Sequence, residues 1–443
     1  MFTHSVLILI VIALAFAIPK FLKLSTELSM FVAALAGAAA HAILLKVTGS
    51  PHNPVSILPI RHIVEGAFTY FDVCLIFLTA TFFMALLRES GGVAFIVRKI
   101  VATFHARRTV CLLLLTLVLL LPGALTGSGA TTVLTVGALV GSVLAAMGVD
   151  ETKRAAIIFL CSAMSAAAPP INLWAMMAAA GANMPYVGFG KPLFVLSVAG
   201  ALFSMFWLAG RGGREPIDVD EVLATLPQAP EGQNWVRVLS PFLLLLALVL
   251  AGRIWFFSMP VIGLPLLFVL ASLAVVVLSP RPLPVWKIAS QTVEALLPLV
   301  GIMVVVGVLI QVMALSGARG LISLAVVTLP LGVLYATLFI ILPLSEGLVQ
   351  YAVAPLLGVP LIMLFNMRGM DPIIALAAMS VIWPLGDCLP PTAVVGRATV
   401  MELGYKGRYF GDFVKSCIVP ILFISLLGTL FLIFSTRLSF LGG

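Results

Sequence analysis

The chain has 443 residues, of which 62% are hydrophobic and only 9% charged, and its formal net charge is +8. A soluble domain carries about a quarter charged residues, so this composition excludes an ordinary water-soluble enzyme or binding protein. The five cysteines lie in apolar segments without a CxxC pair and no two histidines have ligand spacing, so neither a disulfide scaffold nor a Cys/His metal centre is expected.

Apolar runs near the twenty residues needed to cross a bilayer recur along the whole chain. The first run, from Ser5 to Ile18, has no basic residue before it and no small-residue cleavage site after it, which indicates a membrane span rather than a signal peptide. The predicted full spans of the two halves are 4–22, 26–45 and 69–88, then 238–252, 255–279 and 295–315.

Internal matches divide the chain into two repeats. Gly148-Val149-Asp150 precedes Pro169-Pro170 by 21 positions, and Gly369-Met370-Asp371 precedes Pro390-Pro391 by the same interval. Three further matches follow the same order along the chain, with an offset of 221 or 229 residues. We therefore predict an all-α integral membrane fold with two inverted repeats, about ten transmembrane helices and two re-entrant helical hairpins, a plan typical of secondary transporters.

Each repeat is predicted to contain scaffold spans, an arm, a hairpin, a helix broken at Pro-Pro and a final span. In repeat 1 (1–211) these elements are 4–88, an interfacial arm at 91–106, 108–150, 154–184 and 190–211. A hydrophilic cytoplasmic linker is predicted at 212–236. In repeat 2 (237–443) the scaffold spans are 238–315, the arm and hairpin 317–368, the broken helix 372–403 and the final span 413–436.

The basic residues set the predicted orientation. If Arg88–Arg108 faces the cytoplasm, most of the 25 basic residues fall on that side, as the positive-inside rule requires. The loop after the broken helix contains only Lys191 in repeat 1 but Lys406, Arg408 and Lys415 in repeat 2. The charge bias thus reverses between the halves, which favours inverted topology.

The first hairpin tip is predicted at Leu125–Thr131, where glycines allow a tight reversal and hydroxyl groups satisfy backbone groups that water cannot reach. A small-residue helix-packing motif is the alternative interpretation. Pro169-Pro170 then interrupts the following span, and the polar Asn172 comes directly after it. A broken backbone in lipid must line a polar cavity or pack against protein, whereas a simple proline kink is the alternative.

In repeat 2 the tip is predicted at Pro343–Gly347 and the break at Gly386–Thr392. These segments contain Glu346 and Asp387, and acids at membrane depth are functional candidates because they are costly unless paired or ion-bound. Either acid is predicted to bind a coupling cation or a proton. Arg397 is predicted to meet a substrate carboxylate or to pair with an internal acid, Asp387 or Glu402; Asp72 and Glu294 are interpreted as structural. The predicted substrate contacts are Thr126, Ser128, Asn172, Ser345, Thr392 and Arg397.

The motifs resemble those of the large membrane subunit of tripartite ATP-independent periplasmic (TRAP) transporters, within the ion transporter superfamily. The residues that carry the resemblance are Gly123–Ala130, Gly148, Pro169-Pro170-Ile171, Gly369–Ile373 and Leu389-Pro390-Pro391. The resemblance implies a sodium-coupled elevator importing a small organic acid such as a dicarboxylate, in the bacterial inner (cytoplasmic) membrane. It also implies an extracytoplasmic solute-binding protein and a small four-helix membrane subunit as partners.

Family sodium sites form where hairpin tips meet broken helices. The matching positions are Gly127, Ser128, Ala168, Pro169, Pro170, Gly347, Leu389 and Pro391, and Glu346 and Asp387 are added as acidic ligands. Sodium is therefore the predicted coupling ion, with protons as the alternative, and no other cofactor is expected. Two departures from the family pattern, Glu346 at the second tip and Asn172 in place of a serine, keep open a stand-alone carboxylate transporter of the same superfamily.

Two other classes remain as alternatives. Tyr70-Phe71-Asp72 and Leu385-Gly386-Asp387 loosely resemble the paired acid motifs of intramembrane aspartyl proteases, in which two carboxylates share a proton. That interpretation leaves the duplicated Pro-Pro segments unexplained, so a non-enzyme is predicted. A passive channel is the third class. ATP use is not expected, because the chain has no GxxxxGK[ST] loop.

Overall fold

A computed structural model of the chain describes residues 2–48, 59–210, 219–255, 260 and 262–442. Over these ranges every regular element is a helix, and ten helices are long and apolar enough to cross a membrane. The prediction of an all-α membrane fold with about ten spans is confirmed. Helices suit apolar segments in lipid because each helix satisfies its backbone hydrogen-bonding groups within the segment.

One group of helices packs around the long helix α15. Its members come from the start of each half: α1 (Phe2–Phe21), α2 (Thr26–Val47), α3 (Ile60–Phe68), α4 (Phe71–Glu89), α13 (Trp235–Ile254), α14 (Leu264–Leu278) and α15 (Val285–Leu315). Helix α15 contacts α2, α3 and α4, while α14 contacts α4 and α13. We call this group the scaffold.

A second group contains the hairpins and the broken helices, and we call it the core block. In the first half it consists of α6 (Arg108–Thr126), α7 (Gly129–Thr132), the π-helical segment Val133–Gly137, α8 (Ala138–Ala146), α9 (Glu151–Ala167), α10 (Leu173–Gly181) and α11 (Gly190–Ala209). In the second half it consists of α17 (Leu331–Val349), a π-helical segment Ala354–Gly358, α18 (Val359–Met367), α19 (Pro372–Ile382), a 3-10 segment Trp383–Cys388, α20 (Val394–Glu402) and α21 (Lys415–Ile433). Contacts of α9 with α20 and α21, and of α11 with α19 and α21, join the two halves.

Local geometry repeats between the halves. The Pro169-Pro170 and Pro390-Pro391 peptide bonds are both cis, and Gly148 and Gly369 both have φ near +74°, at 73° and 74°. The π-helical segments of the two hairpins, 133–137 and 354–358, keep the same offset as the diprolines. These features agree with a duplicated chain, and the inverted orientation of the halves stays a prediction.

Helix α15 begins ten residues before the predicted span at 295–315. This first part of the helix contains three polar or charged residues, Lys287, Gln291 and Glu294. They lower its mean hydropathy, so a search for apolar runs does not include it in the span. In contrast, the predicted span 255–279 begins nine residues too early, since α14 starts at Leu264; residues 256–259 and 261 of that prediction lie outside the described ranges.

The arm of repeat 1 is a helix, α5 (Gly92–Phe104), that follows directly after α4. Arg98 of this helix contacts the segment predicted as a linker. Its Nη1 donates hydrogen bonds to the carbonyl oxygens of Leu223 at 2.6 Å and Leu226 at 2.9 Å. These carbonyls close a short helix, α12 (Val219–Thr225). Part of the predicted hydrophilic linker is therefore helical and packed, because buried Val222 and Leu226 anchor it.

Replacement of Arg98 by glutamine is expected to loosen α12. Each lost hydrogen bond from a charged donor is worth about 1.5–3 kcal/mol, so limited proteolysis of the purified protein should cleave 219–226 much faster than in the parent. The matched control is Lys99→Gln on the next residue, whose amine lies 5.8 Å above the Phe95 ring instead. Equal cleavage rates for the two variants would show that Arg98 does not hold α12.

Candidate functional site

A cavity of about 810 Å³ lies between the scaffold and the core block. Its scaffold wall is formed by α2, α4 and α15, and its opposite wall by the hairpin tips and the start of α20. Arg88 and Glu89 are exposed at one end, whereas Ser128 and Asp387 are buried at the other. The polar and charged residues of its lining are Glu27, Thr81, Arg88, Glu89, Ser128, Thr131, Thr135, Gln291, Thr292, Glu294, Gln350, Tyr351 and Asp387.

The first hairpin tip lies where the sequence predicts it. Helix α6 ends at Thr126, and Gly127 adopts a φ of 70°. Residues with a Cβ atom rarely adopt this backbone conformation. Ser128 then caps the returning helix: its Oγ accepts a hydrogen bond from the amide of Thr131 at 3.3 Å. The Thr126 hydroxyl donates to the Pro122 carbonyl at 2.8 Å, so it stabilises the end of α6 and does not face the cavity.

The first diproline break packs against this tip. A Cβ on Gly127 would lie 2.6 Å from Leu173 Cγ, and the Ile171 amide donates to the Ala124 carbonyl at 3.1 Å. The unwound backbone after Ala168 is therefore satisfied by the hairpin, as lipid requires of an interrupted helix.

Asn172 has a different role from the predicted one. Its Oδ1 accepts from the Ala175 amide at 2.9 Å, which caps α10, and its Nδ2 donates to the Ala167 carbonyl at 2.9 Å and to Ser380 Oγ at 3.1 Å. The side chain is fully buried and does not line the cavity. Asn172 thus bridges the α9–α10 break and joins it to α19 of the other repeat, and its predicted contact with the substrate stays a prediction.

The second tip lies further along the chain than predicted. Helix α17 continues through the predicted tip 343–347 and ends at Val349, and the chain reverses at Gln350, which has a φ of 52°. Ser345 therefore lies within the helix, where its hydroxyl donates to the Leu342 carbonyl at 2.8 Å, and it does not reach the cavity. Pro343 is tolerated inside this helix, a feature that the sequence interpretation took as the start of a turn.

The second break packs on the last turn of α17. The amide and the hydroxyl of Thr392 both donate to the Gly347 carbonyl, at 3.2 and 2.9 Å. A Cβ on Gly347 would lie 2.9 Å from Leu389 Cβ, and one on Gly386 would overlap the Pro343 carbonyl. Each hairpin thus packs on the break of its own repeat.

Glu346 is the most deeply buried acid of the site. Its relative exposure is 0%, Trp174 Nε1 donates to its Oε2 at 2.7 Å, and its Oε1 has no hydrogen-bond partner among the described residues. The carboxyl group interacts electrostatically with Asp387. A charge this deep needs compensation, since burial of an isolated carboxylate is costly.

Trp174 and Tyr351 link the two repeats beside this acid. The Trp174 ring lies 4.6 Å from the Tyr351 ring, centroid to centroid, and the Tyr351 hydroxyl lies 3.5 Å from the Gly127 carbonyl oxygen. Helix α10 of repeat 1 therefore contacts α17 of repeat 2, and the second tip contacts the first.

Replacement of Trp174 by phenylalanine is expected to destabilise the protein by roughly 1–3 kcal/mol, because the buried Glu346 carboxyl loses its one hydrogen bond. Thermal unfolding of the purified protein measures the loss, with Trp286→Phe as the control, since that indole is 87% exposed. The loss should shrink in a Glu346→Gln background, because a neutral amide costs less to leave unpaired than a carboxylate. Equal stability of Trp174→Phe and Trp286→Phe would contradict the assignment.

The structure sorts the predicted residues into three groups. Ser128 and Asp387 line the cavity. The predicted ion-binding positions at the contacts between tips and breaks are Gly127, Ala168, Pro169, Pro170, Gly347, Leu389 and Pro391. The cavity lining excludes Thr126, Asn172, Ser345, Thr392 and Arg397. For all three groups, the predicted roles in binding the substrate or the coupling ion remain predictions.

Arg397 is exposed on α20, and its Nη2 lies 3.4 Å from the Pro391 carbonyl oxygen. Among the described residues its guanidinium is not within ion-pair distance of Asp387 or Glu402. Arg397 is not among the residues that line the cavity, although Val394, one turn earlier on α20, is.

Sequence reasoning missed several lining residues. Glu294, which was interpreted as structural, lines the cavity together with Gln291 and Thr292, and Gln350 and Tyr351 form the actual second tip. Polar residues spaced three and four apart at the start of α15 would have indicated one helix face, had the helix been extended to Val285. Asp72, the second acid of the protease alternative, is exposed at the start of α4 and does not line the cavity that contains Asp387.

The architecture matches two solved structures of transporters. MtrF of Neisseria gonorrhoeae, described as illuminating a class of antimetabolite efflux pumps, superposes with a TM-score of 0.60 and 14% sequence identity, over 85% of this chain and 83% of MtrF. The YdaH transporter of Alcanivorax borkumensis, described as having an unusual topology, gives 0.58 and 14%, over 83% of this chain and 87% of YdaH. The chain has the fold of a membrane transporter. No protein-family model and no curated protein sequence matches it significantly.

At this identity the likeness concerns the fold alone. It supports a multi-pass membrane protein with the architecture of these two transporters. The narrower assignment to the TRAP family, drawn from the diproline and glycine motifs, is not supported by either structure and stays a prediction.

Proposed function

We propose that the chain is a secondary active transporter that uses the energy of a cation gradient to move a small organic acid across the membrane. The observation that carries the proposal is the cavity between scaffold and core block. The buried carboxyl group of Asp387 lines this cavity, and the buried carboxyl group of Glu346, which lies outside the lining, interacts electrostatically with Asp387. Acids at membrane depth mark ion pathways, because their burial is offset only by a bound ion, a proton or a partner.

We place the carboxylate of the organic acid at the first hairpin tip. Ser128, Ala130 and Thr131 line the cavity at the beginning of the helical segment that runs to Ala146, and Val394 and Val395 line it at the beginning of α20. The first amides of a helix lack intrahelical partners and carry partial positive charge, which favours a carboxylate. This pair of helix beginnings supports an anionic group on the substrate.

We place the cation between Glu346 and Asp387, where it would offset part of the negative charge of these two buried carboxyl groups. Backbone carbonyls of the broken helices would supply oxygen ligands of the kind that sodium takes in transporters with broken helices. Sodium is the proposed coupling ion, and protons taken up by the two acids are the alternative.

Under the positive-inside orientation, the end of the cavity with Arg88 and Glu89 faces the cytoplasm, so the structure would represent an inward-open state. Movement of the core block against the scaffold would carry the site to the other face, as in an elevator. Uptake is the direction implied by the TRAP resemblance, with an extracytoplasmic binding protein and a small membrane subunit as partners. The fold shared with MtrF, one of a class of antimetabolite efflux pumps, supports a stand-alone exporter as the second candidate.

Transport into proteoliposomes tests the proposal. Purified protein should accumulate radiolabelled organic acids when a sodium gradient is imposed, less when a proton gradient replaces it, and not at all without a gradient. Addition of a candidate binding protein should increase uptake only if the system is tripartite. Flux that is independent of both gradients would show a passive channel and remove the proposal.

A further inference from the structure

Three polar side chains of the cavity wall have little exposure and no hydrogen-bond partner in the described part of the chain. They are Asp387, with a relative exposure of 4%, Gln350, with 6%, and Thr135, with 9%. Of these, Asp387 and Gln350 carry carboxylate and carbonyl oxygens, which accept hydrogen bonds. Both groups border the same cavity, so a ligand that offers hydrogen-bond donors there would satisfy them together.

The conformation of Gln350 suggests that its side chain is needed at this place. The reversal of the second hairpin requires a φ of 52° there, a conformation in which glycine is the unstrained residue. The first tip uses Gly127 for its reversal. Glutamine at the second tip places an amide in the cavity wall at a cost in backbone strain, and such strain is concentrated at functional sites.

The charged groups of the lining are mostly acidic. They are Glu27, Glu89, Glu294 and Asp387, with Arg88 as the one cation in the described lining. Arg88 lies at the exposed end, and its Nη1 donates to the Leu134 carbonyl at 3.2 Å. With one monovalent cation bound, acidic groups still outnumber basic ones in the described lining. A substrate with only negative groups would be repelled there, whereas an ammonium group would be attracted.

We infer that the substrate is a zwitterion of the amino-acid type. Its ammonium group donates to the Asp387 carboxylate and to the Gln350 side-chain carbonyl, and its carboxylate lies at the first tip, against Ser128 and the free amides after it. The inference rests on the proposed function, because it takes this cavity as the substrate site. It narrows the organic acid to one that carries an amino group, a feature that the TRAP resemblance does not require.

Equilibrium binding to the purified full chain in nanodiscs tests this at fixed sodium concentration and without a gradient. The probes are amino acids, each paired with the acid that lacks the amino group, such as aspartate with succinate, glutamate with glutarate and alanine with propionate. We expect at least one amino acid to bind about 10-fold or more tighter than its partner, the size of effect expected when a buried charge gains or loses its partner. Equal or tighter binding of the desamino acids, or no binding by any amino acid, would overturn the inference.

Asp387→Asn should reduce the amino preference to about 3-fold or less, since the amide lacks the charge that attracts ammonium. Gln350→Leu is the second variant, because it keeps the charge and removes the hydrogen-bond acceptor; it should lower the preference about 3- to 10-fold. Asp72→Asn, exposed and outside the cavity, should leave the preference unchanged. A preference retained in both cavity variants would overturn the inference. Loss of gradient coupling with the preference intact would instead count against the proposed function alone.

Discussion

Replacement of Asp387 by asparagine is expected to lower gradient-driven transport about 100-fold or more, because loss of a charged partner at a desolvated site costs about 2–5 kcal/mol. The side chain is 4% exposed, lines the cavity and interacts with the buried Glu346. Asparagine keeps the size of the side chain and removes the charge that would hold a cation. Initial rates of uptake into proteoliposomes with an imposed sodium gradient measure the effect.

The matched control is Glu402→Gln, which removes an exposed acid from the end of α20, in the same broken helix. It should transport at nearly the parent rate, since exposed charges contribute little in water. If Asp387→Asn and Glu402→Gln transport equally well, the cavity acid does not take part in coupling, and the cation site must lie elsewhere.

The largest expected structural effect comes from Gly386→Ala. The added Cβ would overlap the carbonyl oxygen of Pro343. This oxygen belongs to the backbone of α17, so no side-chain rotation can move it aside. Overpacking of this kind costs typically about 1–3 kcal/mol, and more where backbone must move. We expect a lower thermal unfolding midpoint and near-complete loss of transport, because the shift separates the second break from the second tip.

Gly301→Ala is the control for Gly386→Ala. Gly301 lies inside α15, and a Cβ there would meet no atom within 4 Å. Alanine should be neutral or stabilising by up to about 1 kcal/mol, the difference between glycine and alanine in a helix interior. Similar unfolding midpoints for the two variants would show that the contact between Gly386 and Pro343 tolerates a methyl group.

The architecture could be predicted from sequence because it follows from apolar length and from duplication. Runs of about twenty apolar residues give spans, and paired prolines give breaks, whatever the tertiary context. The first tip was predicted correctly for the same local reason, since Gly127 and the capping Ser128 determine the reversal by themselves.

The second tip was placed too early because its signals conflict. Pro343 and Gly347 suggest a turn, yet α17 accepts both, and the reversal occurs at Gln350, a residue with no intrinsic preference for positive φ. Only packing against Leu389 and Thr392 resolves the conflict. The scaffold wall of the cavity was missed for a related reason, because polar residues such as Glu294 resemble span ends until α15 is seen to begin at Val285.

The contact between Tyr351 and the Gly127 carbonyl has a consequence for how a bound solute leaves. The two re-entrant hairpins contact each other here, so neither moves aside alone without losing this contact. The second hairpin would also lose the hydrogen bond between Trp174 and Glu346. A lid made from a single hairpin is therefore disfavoured. If the proposed transport function holds, release and loading would instead depend on movement of the whole core block past α15. The rate of exchange would then depend on the contacts between the core block and the scaffold, and not on the flexibility of one loop.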